Sequence, residues 1–467
     1  MFSLRHAGRA LPRLLLLLTV VFQMPAAVAA DLAAKTQEHK LANGLRIIVK
    51  EDHRAPVVVS MVWYKVGSID EENGTTGISH ALEHMMFKGT RQVPAGEFSR
   101  IVAAAGGREN AFTDRDYTSF HQQLQKSQLP LAFRLEADRM QNLTLLQKEY
   151  AKEIRVVMEE RRLRTDDQPE AQVHEQLMAT AFTSSPYRVP VIGWMNDLEH
   201  MSVGDVRDWY QRWYAPNNAI IVVVGDVKAP EVFALAQKYF GAIKPKTLPQ
   251  RKPQEEPLQP GIRRVVVKAP AELPYLEMAW RTPLLHDLDK DWEPYALDVL
   301  SEVLDGNEAA RLNSALVRSE RIATSINVSY DDAQRGPALF VISGNPAPGK
   351  TVADLEQGVR REIGKIVADG ISEDELKRVK AGLVASQVYQ RDSMFFQALQ
   401  IGSLTADGYP TDAVDLILQK LRQVTAAQVQ EVAKKYFNDD SLTVATLDPQ
   451  PLNGRRIAPL MDMGHVR

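Results

Sequence analysis

Residues 244–261 read KPKTLPQRKPQEEPLQPG, with prolines at 245, 249, 253, 257 and 260. Proline fixes φ and has no amide hydrogen to donate, so five of them in one short polar stretch exclude a helix or a central strand. The stretch is expected to run extended, as a semi-rigid linker over 245–261. It divides the chain into residues 31–244 and 262–467, two pieces of nearly equal length. At 467 residues the chain can bury two sizeable cores.

The two pieces end alike. SVGDVRDWYQRWYAPNNAIIVVVGDV predicts a helix up to Tyr214, a turn at Pro216-Asn217-Asn218 and a strand from Ile220 to Val224. TAAQVQEVAKKYFNDDSLTVATLDP repeats the pattern 223 positions later, matching Val206 with Val429, Tyr214 with Phe437, and the Ile220 strand with Thr443 to Leu447. Near their starts, Val57 to Trp63 and Leu276 to Trp280 again read as strands, each followed by a long helix. A duplicated unit explains both correspondences. Strands and long helices do not alternate strictly, so the predicted class is α+β, two homologous halves with helices packed on a largely antiparallel sheet.

Composition narrows the function. The formal charge of −3 and pI near 6.4 give no electrostatic footprint for nucleic acid or an anionic membrane. There is no cysteine, so thiol catalysis and thiolate metal sites are excluded, and a transition metal would need His and carboxylates. Arg5, Arg9 and Arg13 precede an apolar run from Leu14 to Phe22, then Ala27-Val28-Ala29, with no acid before Asp31. These are the parts of a secretory signal peptide over 1–30, in order. A mitochondrial transit peptide is the alternative, but its pattern is amphipathic rather than apolar throughout. Periplasmic or secreted localisation is therefore expected. Losing the three arginines takes the charge from −3 to −6. No later segment approaches the roughly 20 apolar residues of a membrane span, so the mature form should be soluble.

The chemistry lies in TTGISHALEHMMFKGT, from Thr75. Thr76 can cap a helix, Lys88 suits its last turn, and Gly89 the position past its end. Ile78, Leu82 and Met85 share one face. His80 and His84, one turn apart, share another, from which both imidazoles can reach a single ion. Glu83 sits beside them, able to act as general base toward a water that the ion has made more acidic. A catalytic zinc usually takes three protein ligands. KEYAKEIRVVMEERRLRTDD, a charged helix, offers Glu149, Glu153, Glu159 and Glu160. Glu153 and Glu160 are two turns apart on one stripe, with Val156 and Val157 beside them.

His80-x-x-Glu83-His84, followed 76 residues later by Glu160 in EIRVVMEERR, resembles the pitrilysin/insulinase family of zinc peptidases. Its smaller members, the processing peptidases and their bacterial relatives, are the best match. The resemblance extends through LANGLRIIV, GGRENAFTDRDYTSF, PYRVPVIG and the YAPNNAIIVVVGDV strand. It implies one Zn2+ per chain held by His80, His84 and Glu160, with Glu83 as base and Glu153 as a carboxylate that orients the site. It implies a clam-like chamber, and it makes Asn110, Ala111, Phe112 and Thr113 an edge strand on which a substrate peptide lies as an added strand.

One part of the pattern is missing. Family members acting alone carry an Arg and a Tyr, seven residues apart in the second half, that bind the substrate carbonyl. In ALVRSERIATSINVSY, Arg318 takes the Arg position but Ser325 stands at the Tyr position, after Thr324, and no tyrosine comes before Tyr330. The expectation is an exported endopeptidase for short or unfolded peptides, acting as the zinc subunit of a heterodimer whose homologous partner supplies the Arg/Tyr pair. The alternative is a non-catalytic scaffold or peptide-binding subunit of a larger complex, a role that usually goes with a lost metal set.

Overall fold

The computed structural model describes residues 35–454. The expected signal peptide over 1–30 lies outside the described residues. Two sheets organise the chain. The first holds β1 (Gln37–Lys40), β2 (Arg46–Glu51), β3 (Val57–Tyr64), β4 (Arg108–Thr113), β5 (Thr118–Gln125) and β6 (Ala219–Gly225), in the order β1-β2-β6-β3-β5-β4. The second holds β7 (Arg263–Pro270), β8 (Tyr275–Thr282), β9 (Ala323–Tyr330), β10 (Ala338–Pro346) and β11 (Leu442–Gln450), in the order β7-β11-β8-β10-β9. In each sheet one pair is parallel, β2 with β6 and β7 with β11, and all others are antiparallel. Apart from the extra β1, the two orders superpose strand for strand.

The repeat read in the sequence is kept to the residue. Helix Val203–Trp213, the turn Pro216–Asn218 and β6 start at 203, 216 and 219; helix Ala426–Tyr436, the turn Asp439–Ser441 and β11 start at 426, 439 and 442, each 223 later. Both helices begin with a hydroxyl N-cap and a reciprocal bond from the third residue, Ser202 with Asp205 and Thr425 with Gln428. The α+β class and the two layered units are as expected. One detail differs: β3 is followed by the eight-residue helix Ile78–Met85 rather than a long one. Gly89, at φ +97°, turns the chain soon after; a Cβ there would lie 2.6 Å from the Ala95 nitrogen.

The halves are not self-contained, which the sequence reading missed. Helix Pro169–Ala181, from before the linker, lays Val173, Leu177 and Met178 on Val267, Ala269, Ala279, Ala445 and Leu447 of the second sheet. In return, helix Met394–Asp407 lays Met394, Ala398 and Ile401 on Ile48, Val59, Met61, Trp63 and Val222 of the first. The approach is close enough that a Cβ on Gly402 would meet the Trp63 ring at 2.1 Å. Residues 245–261 contain neither helix nor strand. They are nonetheless tied down: Arg251 pairs with Asp70 at 2.5 Å, and the Glu256 carboxylate accepts the amides of Thr183, Ser184 and Ser185 and pairs with Arg281.

Candidate metal centre and its family

Helix Ile78–Met85 is buried along its whole length, between the first sheet and helix Gln147–Arg161. Its start is built differently from the sequence expectation. Thr76 is not the cap: its hydroxyl donates to Asp197 Oδ2 at 2.6 Å and accepts from the Trp194 amide. The capping acceptor is Glu71, whose carboxylate takes the amides of Gly77 at 2.7 Å and Ser79 at 2.8 Å. Gly77 has φ +83°, and a Cβ there would lie 2.4 Å from the Ile192 carbonyl oxygen, so the 190–194 loop packs directly on the helix start. Lys88 likewise does not serve the last turn. It lies past the helix end, where its Nζ donates to Glu153 Oε2 at 2.6 Å.

Helix Gln147–Arg161 supplies the acids. Glu153 and Glu160 face the histidines, whereas Glu149 sits near Lys148 and Lys152, and Glu159 pairs with Arg162 at the surface. Val157 is fully buried as predicted, but Val156 is 47% exposed, so the apolar stripe is narrower than the spacing suggested. A π turn over Arg162–Asp166 continues the helix, and Arg164 reaches back to Glu160 Oε1 at 3.0 Å.

His80, His84 and Glu160 each offer an atom within 4.8 Å of the others. His84 Nε2 lies 3.3 Å and His80 Nε2 3.7 Å from Glu160 Oε2. Tetrahedral zinc with bonds of roughly 2.0–2.1 Å needs its ligand atoms about 3.3 Å apart. The donor set therefore fits, with two imidazoles and one carboxylate. The other nitrogen of His84, Nδ1, is 3.0 Å from Glu153 Oε1, the carboxylate–histidine arrangement that fixes a ligand's tautomer. Burial would push the His84 imidazole down, but its bonds to Glu153 and Glu160 and the charge of Glu83 raise it to about 9. Burial acts upward on Glu160, and His84, His80 and Arg164 outweigh it, holding the carboxyl at about 2. Glu153 is lowered against its own burial by His84 and Lys88. Glu160 is thus held ionised, as a ligand must be, and Glu153 behind it is shifted the same way.

Glu83 is fully buried, and Thr113 Oγ1 donates to its Oε2 at 2.8 Å. Thr113 ends β4, the edge strand of its sheet. Along that strand Ala111 and Thr113 face the helices, whereas Asn110 and Phe112 face the opposite side with His121 and Trp63. A cavity of about 310 Å³ opens beside His80, Glu160 and Thr113. Arg318 and Ser325 do not line it. Arg318 is exposed at the end of the turn Asn313–Ser319, Ser325 Oγ donates to Asn345 Oδ1 at 2.8 Å, and the Tyr330 hydroxyl is engaged by the Pro283 carbonyl.

The insulinase family (peptidase family M16) matches residues 46–193, and the peptidase M16 inactive domain matches 200–383. A zinc protease of Helicobacter pylori, PqqE, is 32% identical over 426 residues, 89% of this chain and 93% of that one. The chain belongs to the M16 peptidase family. An uncharacterized zinc protease of Mycobacterium leprae is 29% identical over 85% of this chain and 88% of its own. A crystal structure of a Helicobacter pylori protease superposes with a TM-score of 0.84 at 30% identity, covering 89% of this chain and all of that one. A putative M16-like peptidase of Alicyclobacillus acidocaldarius, at 18% identity, shares the fold with a TM-score of 0.78. The protein is a zinc metallopeptidase with the two-unit chamber fold of this family. No helix among the described residues is long and apolar enough to cross a membrane.

Several residues around the centre escaped the sequence reading. Arg164 had a usable signal, four residues after Glu160 on the same helix. Glu71 and Asp197 had none, since each reaches the helix start from another segment, and Lys88, read as a last-turn residue, serves Glu153 instead.

Proposed function

We propose that the protein is an exported zinc endopeptidase for short or unfolded peptides, in which residues 31–244 bind the metal and 262–467 form the facing half. His80, His84 and Glu160 would hold the zinc, one per chain. When bound, the ion supplies Lewis acidity to the scissile carbonyl and to the attacking water. Glu83 removes the proton from that water and returns it to the leaving amine. Thr113 fixes one oxygen of Glu83. Glu153, steadied by Lys88, holds the His84 ring in place. The edge of β4, through Asn110, Ala111, Phe112 and Thr113, receives the peptide backbone as an added strand beside Glu83.

The observation that carries this reading is the His80, His84 and Glu160 ligand cluster next to Glu83, whose buried carboxylate is bonded to Thr113 at the end of the edge strand β4. The complete ligand set also speaks against the non-catalytic scaffold alternative. Substitution of Glu83→Gln tests it: metal content should be retained while peptide turnover falls by roughly two to four orders of magnitude. Unchanged turnover would remove Glu83 from the mechanism.

The same reading makes the chain the zinc subunit of a heterodimer. Ser325 is bonded to Asn345, and Tyr330 is held against Phe340 and Pro283, so neither offers a phenol beside Arg318. A homologous partner would supply the Arg and Tyr, and loss of such a donor costs about two to three orders of magnitude. If the purified chain alone cleaved peptides as fast as it did with a co-encoded homologue, the heterodimer would be refuted.

A further inference from the structure

The 310 Å³ cavity beside the ligand set has a second wall that the mechanism does not use. Three arginines line it together with His80, Glu160 and Thr113; Arg164 is paired with Glu160, which leaves Arg115 and Arg188 to form this wall. Arg115 follows β4 directly; Arg188 closes the turn Pro186–Arg188. The acids that share the cavity are already committed. Glu160 is engaged with His84 and Arg164, and Glu175 accepts two bonds from Arg161, at 2.8 and 3.1 Å. Among the described residues, neither Arg115 nor Arg188 has a carboxylate within the 4.0 Å of an ion pair.

Arg115 is also positioned in advance. Its guanidinium carbon lies 5.3 Å over the Tyr187 ring, and its Nε is buried without a hydrogen-bond partner. Tyr187 itself cannot move freely, since its hydroxyl donates to Asp116 Oδ2 at 2.5 Å and accepts the Gly336 amide at 3.1 Å. A cation stacked on a fixed ring loses little side-chain freedom when it meets an anion. A buried donor with no acceptor costs free energy until something supplies one.

We infer that Arg115 and Arg188 form an anion subsite that selects peptides carrying a carboxylate next to the cleaved bond. The inference rests on the peptidase reading above and adds a substrate class to it. The carboxylate can come from an Asp or Glu side chain or from the free C-terminus of a short peptide. Both present the same planar pair of oxygens to a guanidinium.

The test uses three peptides of one sequence: a C-terminal amide with neutral side chains, the same peptide with a free C-terminus, and the amide with one Glu scanned across the positions flanking the cleaved bond. Kd is measured on the full chain carrying Glu83→Gln, and KM and kcat on the zinc-loaded wild type. At least one carboxylate peptide should bind about tenfold or more tighter than the neutral one, the magnitude of a hydrogen bond to a charged group. The advantage should appear in KM, weaken with added salt, and fall toward one in Arg188→Gln and Arg115→Gln. Arg188→Lys should keep part of it. The arm that shows the advantage distinguishes side chain from C-terminus. Arg188→Gln is the primary variant, because Arg115 also packs on Tyr187; thermal unfolding checks that both fold. Equal binding of all three peptides, or an advantage that survives the double variant, would overturn the subsite. Failure of the wild type to cleave any peptide, both alone and with the co-encoded homologue, would count against the peptidase reading instead, and the Kd ratio would still decide the subsite.

Discussion

Glu153 is the residue whose removal best measures how the centre is held. It touches no substrate atom and is not among the three side chains that fit one ion. One of its oxygens lies 3.0 Å from His84 Nδ1 and the other accepts from Lys88 at 2.6 Å, in a site where the Glu153 side chain is 12% exposed. Replacing Glu153 by Ala leaves the His84 nitrogen without its acceptor and a half-buried lysine without its counter-ion. Losing such a partner behind a metal-ligating histidine costs about 10–100-fold in metal affinity, or roughly 1.4–2.8 kcal/mol. Glu153→Gln should fall near the lower end, because the amide oxygen can still accept from Nδ1 while the charge is lost. The order expected in a competitive chelator titration is wild type, then Gln, then Ala, with Lys88→Met between wild type and Ala. Peptide turnover measured at saturating zinc should recover more fully than the affinity does. If Glu153→Ala bound zinc within twofold of wild type while folding normally, the orienting role would be wrong.

Two further outcomes follow from groups around the helix and the sheets. Desolvation pushes the Glu71 carboxyl up to about 7, despite the Ser79 and Gly77 amides that pull it down. A carboxyl whose folded value lies above its unfolded one, ordinarily about 4.3, stabilises the fold at low pH and loses that contribution as pH rises toward 7. Chemical denaturation of wild type and Glu71→Gln at pH 5 and pH 8 should therefore show wild type losing ground across that interval, and a pH-independent difference would exclude it. Gly402→Ala would force a methyl toward the Trp63 ring at 2.1 Å. Overpacking of this kind costs roughly 1–3 kcal/mol, read as a lowered midpoint in urea, and an unchanged midpoint would show that helix Met394–Asp407 can shift without cost.

Local periodicity made much of this molecule legible in advance. The helix–turn–strand ending of each half is set by short-range signals, a hydroxyl cap, a turn triplet and an apolar run, and those signals recur at the same spacing in both copies. The histidine pair was legible for the same reason, since one helical turn fixes which side chains can meet. Glu160 was not. Spacing paired Glu153 with Glu160 on one stripe of a charged helix that also carries Glu149 and Glu159, but only family resemblance made Glu160 the ligand. Thr76 was misassigned because a hydroxyl before a helix can serve any nearby donor or acceptor, and here Asp197, 121 residues away, outcompetes the helix amides.

The exchange of helices between the sheets is the feature that no local pattern encodes. Helix Pro169–Ala181 carries an apolar face that reads the same whichever sheet it covers, and the linker after it suggested that it would cover its own. Its actual place has a consequence for the site. The helix lines the cavity beside the ligands through Ala171 and Met178, while Val173 and Leu177 are fixed in the core of the opposite half. Tyr187, near its end, ties the same wall to Gly336 and to Asp116. The metal centre therefore sits in one half, but the wall that faces it is held by the other. Each sheet would expose an apolar face if the chain were cut at the linker, because the helix that covers it would leave with the wrong piece. That interlock explains how a half with no ligand set of its own still acts on the geometry of the site: it fixes the wall against which a bound peptide would rest.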